Sequence, residues 1–336
     1  MGRSSSSNEP PRRRAHGGSG LTARRSVGRA RGLPAALVIA ACLAPCTGEQ
    51  AAAAEPRSPA AGTLQPLITT SELVVGQNRF AFGLLKQGEL VADLTVAVRV
   101  YDIRSEPPQL TAARPAVYHK LEVVEQGNRV HIHPDGTRHL HGTTDVNGIY
   151  VAHLPLDRPG PWGLEILASK GDGPVETARL SVTALDVPGA PMPGTSAPRS
   201  KNLVASDVAD LRAIDSSDPP DPRLHQTRIA DSIAQGRPQL IVFATPRYCA
   251  SRVCGPVVDV VRTLIPAYGN RVAFVHQEIW QGNPGQKFAP TVQEWNLRTE
   301  PWIFLVDGQG VIRARFEGLT TRRELEAALR RMLGLE

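Results

Sequence analysis

Cysteine is scarce in this 336-residue chain, with only four in all: Cys42, Cys46, Cys249 and Cys254. A scaffold stapled by many disulfides is therefore excluded, and one cysteine pair, Cys249 with Cys254, falls in a region expected to fold. A long apolar run is also missing. The run from Leu33 to Leu43 is too short to cross a bilayer, which excludes a helical span there. A net basic charge is missing from everything but the leader. The sequence pI is about 9.4, yet residues 1–42 carry eight Arg against one Glu, leaving 30 basic and 31 acidic residues over 43–336. The body is close to neutral, so no nucleic-acid partner is expected.

What the leader does have is an export pattern. Arg24, Arg25, Arg29 and Arg31 precede the short apolar run, the layout of a signal segment. Ile39-Ala40-Ala41-Cys42 resembles a bacterial lipobox, which implies lipidation of Cys42 and attachment to the extracytoplasmic face of the cell membrane. Cleavage within Ala51–Ala54 would instead give a secreted protein, and the Arg24-Arg25 pair is a poor twin-arginine signal. Residues 1–54 are expected to be disordered leader, export signal and tether. Outside the cytosol a cysteine pair can be oxidised.

From 64 to 186 the pattern is all-β. Short alternating runs at Phe80–Leu84, Leu94–Tyr101, Lys120–Val124, Ile149–Leu154, Trp162–Leu167 and Ala178–Leu185 are separated by turn residues such as Asn147-Gly148 and Pro159-Gly160, a spacing that predicts a sandwich. Asp145 to Tyr150, followed by Pro159 to Trp162, resembles the closing strands of bacterial immunoglobulin-like domains. Six of the nine histidines lie between His119 and His153. His131, His133, His139 and His141 flank the turn Pro134-Asp135-Gly136, so two H-x-H strands are expected to form a hairpin with its imidazoles on one face. Clustered imidazoles would suit copper or zinc, whereas the plainer reading is a polar, solvated strand face. His119 and His153 stay with the plainer reading.

Residues 187–222 are proline-rich (PGAPMPGTSAPRS, SSDPPDP) and read as an extended linker, with a short helix around 206–214.

Over 223–336 the periodicity changes to α/β. A helix is predicted at Thr227–Ala234 and a buried strand at 239–244. The segment Thr245 to Val253 then carries Cys249, and Cys254 precedes a helix over 256–267. A strand follows at Arg271–His276, then a helical patch at Thr291–Asn296. A hairpin of Ile303–Val306 and Val311–Phe316 turns at Asp307-Gly308-Gln309-Gly310. The last helix opens with the capping box Thr321-x-x-Glu324. A cysteine pair between a strand and a helix N-terminus sits where backbone N–H groups and the helix dipole favour a thiolate, and Arg247 and Arg252 add positive charge.

This order, with Phe243-Ala244-Thr245-Pro246 running into Cys249 and with Glu300-Pro301-Trp302 before the hairpin, resembles the thioredoxin-like superfamily over 222–336. The resemblance implies a cis peptide before Pro301, a catalytic dithiol, and protein thiols or disulfides as substrates, with a membrane redox partner and no required cofactor. Two departures stand out. Four residues separate the cysteines instead of two, so a bond between them needs Cys249 in the turn ahead of the helix, because positions i and i+5 of a regular helix lie beyond disulfide reach. Alternatively Cys254-Gly255-Pro256-Val257 aligns with the family's C-G-P-C, with Val257 in place of the resolving thiol. The acid often buried beneath the dithiol is missing, with Phe243 near its place. Sco-type copper chaperones share this fold and spaced cysteines, but no His follows His276. A non-catalytic thioredoxin-like binding module is the third reading.

Overall fold

The computed structural model describes residues 64–125, 128–132, 137–143, 146–282 and 284–335, and residues 58–336 form one compact unit. Its first half is β-rich: β1 (Gln65–Ile68), β2 (Leu73–Val74), β3 (Gly76–Lys86), β4 (Glu89–Leu90), β5 (Thr95–Asp102), β6 (Gln109–Lys120), β7 (Val124–Glu125), β8 (Asn128–Ile132), β9 (Arg138–Thr143), β10 (Gly148–Leu156), β11 (Gly160–Ser169) and β12 (Glu176–Leu185). The second half is α1 (Ile229–Ala234), β13 (Gln239–Ala244), α2 (Cys254–Tyr268), β14 (Ala273–Glu278), α3 (Pro290–Glu294), β15 (Trp302–Val306), β16 (Ile312–Glu317) and α4 (Arg322–Met332).

Nine strands make one curled sheet in the order β1-β3-β10-β6-β5-β11-β12-β2, with β4 beside β3. The curl is made by β6. Its last residues, Val117–Lys120, pair with β10, and its first, Gln109–Ala116, pair with β5. The layers so folded together enclose Phe80, Phe82, Leu84, Val98, Leu154 and Trp162. Period-2 alternation sends the residues between them outward. On β3 and β10 these outward residues are Ala81, Ile149 and Val151, which join a second core with α2 and α4. That two-sided cover explains why Phe80–Leu84 is buried without a break.

The second half centres on a four-stranded sheet ordered β14-β13-β15-β16. β13 and β14 are parallel, and β15 and β16 antiparallel to their neighbours. β13 is buried along its whole length, as its unbroken apolar run requires for a central strand covered on both faces. Val257, Val258, Val261 and Leu264 of α2 pack on one face with Leu325 and Leu329 of α4. Ile229 and Trp295 cover the other, with Trp295 against Phe304 of β15. α4 has both halves of its capping box, Thr321 with Glu324.

Ion pairs tie the halves together. Arg79 Nε lies 2.8 Å from Glu324 Oε1, and its Nη atoms donate to the carbonyls of Glu317 and Leu319. Arg315 Nη1 lies 2.7 Å from Glu72 Oε1. The small sheet β7-β8-β9 meets α2 through Arg129, whose Nε is 2.9 Å from Asp259 Oδ2.

Three expectations need correction. Lys120–Val124 is not a strand: Leu121 to Val123 form a turn, and Leu121, Val123 and Val124 are apolar because they pack in the core shared with α2. Residues 187–222 do not run as a free linker. Gly194 N donates to Ile312 O, Ile312 N to Thr195 O and Ala197 N to Gly310 O, so the segment flanks the outer edge of the sheet at β16, and Ala190, Ala197, Asp215, Ser217 and Asp221 are buried. Proline donates no ladder bond and is tolerated at such an edge. The helix expected at 206–214 is two single 3-10 turns, Ala205–Asp207 and Leu211–Ala213. Among the described residues no helix is long and apolar enough to cross a membrane.

Candidate functional site

α2 begins at Cys254, and Cys249 lies in the turn before it. The intervening residues loop out: Arg252 N donates to Cys249 O at 3.2 Å, and Arg252 takes the left-handed conformation with φ 59°. This loop brings the two sulfurs into hydrogen-bond contact, the Cys254 thiol donating to Cys249. Both cysteines are free thiols, and both are buried. The other register leaves Val257 one turn into α2, wholly buried in the core.

The two sulfurs have opposite characters. The Cys254 thiol is the largest influence holding Cys249 down at about 6, against an ordinary 9.0; Ser251 and the backbone N–H groups of Val253 and Cys254 act in the same direction, and burial acts against them. Ser251 Oγ lies 3.2 Å from Cys249 Sγ. Cys254 is driven the other way, chiefly by burial, then by its bond to Cys249 and the charge there, with the Thr245 N–H opposing. A thiolate on Cys249 beside a protonated Cys254 is the arrangement of an attacking and a resolving sulfur. Arg247 and Arg252, expected to supply the positive field, are not among the leading contributors; short-range donors do that work.

The Glu300–Pro301 peptide is cis. Glu300 is the one carboxyl among the strongest influences on the cysteine pair: its charge raises Cys254, and its own protonation is pushed up by burial, then by the Cys249 charge and by Glu278. A mainly apolar cleft of about 330 Å³ runs alongside, lined by Ser251, Val253 and Glu300 on one wall and Leu67, Ile68 and Ile149 on the other. The curled sheet thus lines part of a cleft that reaches the loop between the cysteines. Sequence reasoning missed Ser251 and Glu300. The only hints were a hydroxyl inside the loop between the cysteines and a carboxylate next to the proline.

At the opposite wall of α2, Arg129 reaches across Gly255. A Cβ on Gly255 would stand 2.5 Å from Arg129 Nη1, so this glycine gives β8 its close approach to the cysteine helix. The histidine hairpin forms with His131 opposite His139 and Arg129 opposite His141. His133 lies outside the described residues, as do Cys42 and the whole leader. His119 is partly buried, and burial is the main cause of its lowered protonation.

No family model and no curated protein matches this chain. A solved structure that does match is that of a DUF4426 family protein from Pseudomonas aeruginosa PAO1. It has 12% identity and covers 33% of this chain and 76% of that one, with a TM-score of 0.21; likeness at that level carries no inference about fold or function.

Proposed function

We propose that this chain is a thioredoxin-like thiol–disulfide oxidoreductase working outside the cytosol, held to the membrane by a lipid on Cys42, with protein thiols or disulfides as substrates. The observation that carries the reading is the contact between a low-pKa Cys249 and a protonated Cys254 at the start of α2.

In the reducing direction the Cys249 thiolate attacks one sulfur of a substrate disulfide. A Cys249–substrate disulfide forms, and the other substrate sulfur leaves as a thiolate and takes a proton from water. The charge that had held the Cys254 proton is then gone, so its ionisation becomes easier. Glu300, the carboxyl electrostatically coupled to the pair, takes that proton and passes it on. Cys254 attacks Cys249, the second substrate thiolate leaves, and the chain is left with a Cys249–Cys254 disulfide. The oxidising direction is the reverse. Stabilising the Cys249 thiolate stabilises the dithiol form over the disulfide, which makes the pair a better oxidant than one with ordinary thiols.

The test is disulfide reduction of an insulin-like substrate by the whole chain, with dithiothreitol as electron source. The two halves share a core and buried ion pairs, so the C-terminal half is not assayed by itself. Turnover that disappears in Cys249→Ser supports the reading. Rates equal to the uncatalysed reaction in wild type and variant alike refute it.

A further inference from the structure

Away from the cysteines, three buried side chains converge from three separate segments: Asp215 from the proline-rich stretch, His225 just after a 3-10 turn at Pro222–Leu224, and His276 from β14. Their exposures are 0%, 1% and 2%. Asp215 Oδ2 lies 2.9 Å from His225 Nε2, and Asp215 Oδ1 lies 3.3 Å from His276 Nδ1. One ligand atom from each falls within 4.8 Å of the other two. The sequence offered no such grouping, because His276 lies about fifty residues beyond His225 and both histidines lie outside the histidine-rich hairpin.

The hydrogen-bond pattern around His276 identifies what the cluster is arranged for. His276 Nε2 is 3.0 Å from the Ala244 carbonyl oxygen. A carbonyl only accepts, so Nε2 carries the hydrogen, and in the neutral ring Nδ1 is then a bare lone pair. In the neutral ring that lone pair faces a buried carboxylate at 3.3 Å without hydrogen-bond alignment; burial opposes charging the ring but the Asp215 carboxylate raises its protonation, so either a proton or a metal ion can fill this gap. Two acceptors facing each other away from water repel unless a positive charge sits between them. An imidazole with one nitrogen fixed to a backbone carbonyl and the other left open is the usual setting of a metal-ligating histidine. The carboxylate is held as well: Ser217 N donates to Oδ1 at 2.8 Å and Asp221 N to Oδ2 at 3.4 Å.

Access is present. A cavity of about 310 Å³ is lined by Asp215, Ser217, Tyr248 and Glu278, and another of about 230 Å³ by His276, Glu278 and Trp280. The Glu278 carboxylate borders both and is anchored by the amides of Ser216 and Ile279, adding a second negative charge beside the cluster.

We propose that Asp215, His225 and His276 form a binding site for a divalent cation of the zinc class, with two imidazole nitrogens and one carboxylate oxygen as ligands and the cavity side left for water. Two nitrogens and an oxygen with no thiolate suit Zn(II) rather than Cu(I). The ion would pin the proline-rich segment to β14 and, through the His276–Ala244 bond, brace the strand that leads into the cysteine turn. This assignment does not rest on the thiol reading, and either stands if the other fails.

The experiment uses the full chain stripped with a chelator and titrated with zinc chloride, with bound metal measured. The expected result is one zinc per chain, weakened about a hundredfold or more in Asp215→Asn and in His225→Gln, and unchanged in a His131→Ala/His139→Ala/His141→Ala variant. X-ray absorption of the zinc-loaded wild type needs no variant and should show a nitrogen and oxygen shell with two imidazoles. No stoichiometric uptake, binding that persists in both site variants, loss in the hairpin variant, or sulfur in the zinc shell would each overturn the proposal. The first of these outcomes would assign the cluster to a buried imidazolium–carboxylate pair.

Discussion

The acidity of Cys249 depends above all on the Cys254 thiol that donates to it, and removing that donor should be directly visible. With its midpoint near 6, Cys249 is about nine-tenths thiolate at pH 7, against about 1% for an ordinary thiol near 9, a difference approaching a hundredfold in reactive species. In Cys254→Ala the Ser251 hydroxyl and the two backbone N–H groups remain. A hydrogen bond to a charged group contributes about 1.5–3 kcal/mol, and one pH unit corresponds to about 1.4 kcal/mol. The midpoint should therefore rise by about 1–2 units. The assay is the pH dependence of iodoacetamide alkylation, followed by mass spectrometry so that modification is read at Cys249 itself. A wild-type midpoint near 9, or a midpoint that stays near 6 in Cys254→Ala, would refute the hydrogen-bond account.

Other outcomes follow from the same geometry. The folded Cys249 midpoint lies below its unfolded value, so the thiolate contributes stability above about pH 9 that is lost as pH falls toward 6; urea midpoints of the reduced protein should drop over that window, and those of Cys249→Ala should not show this component. Glu300→Gln should slow resolution of the mixed disulfide while leaving the alkylation of Cys249 at pH 8 within about twofold, because the carboxyl acts on the Cys254 proton rather than on the first attack; stopped-flow traces in which both steps are unchanged would remove Glu300 from the mechanism. Arg79→Ala strands Glu324, whose side chain is 10% exposed, and should cost about 3–5 kcal/mol by urea denaturation; a loss under 1 kcal/mol would mean that the halves are not held together there.

Much of the second half was legible because its signals are local. The run Leu240–Ala244 is apolar without interruption and fills the strand Gln239–Ala244, and the Thr321–Glu324 capping box marks where α4 begins. The reach of a disulfide required Cys249 ahead of the helix only if the two cysteines bond, and the register with Cys254 as the attacking sulfur stayed open in the sequence. What escaped depends on contacts distant in sequence. β6 carries a proline and faces solvent over much of its length, so neither propensity nor alternation marks it, yet its pairing with both β10 and β5 closes the sheet. Leu121 and Val123 look like strand residues because they are apolar, and their partners on α2 lie more than a hundred residues away. Asp215 sits among serines and prolines that read as a tether; only the fold brings two imidazoles to it. The polar groups around the dithiol were hidden for a similar reason. Ser251 and Glu300 are ordinary residues until a loop and a buried wall turn them toward sulfur.

The central claim is that Cys249 attacks and Cys254 resolves, and trapping the half-way state tests it most directly. Whole chain carrying Cys254→Ala, mixed with a disulfide-linked peptide, should accumulate a mixed disulfide on Cys249 that mass spectrometry can localise, whereas wild type should release the peptide and gain an internal Cys249–Cys254 bond. A mixed disulfide that forms on Cys254 in Cys249→Ala at an equal rate, or wild type that holds the peptide without forming the internal bond, would contradict the account.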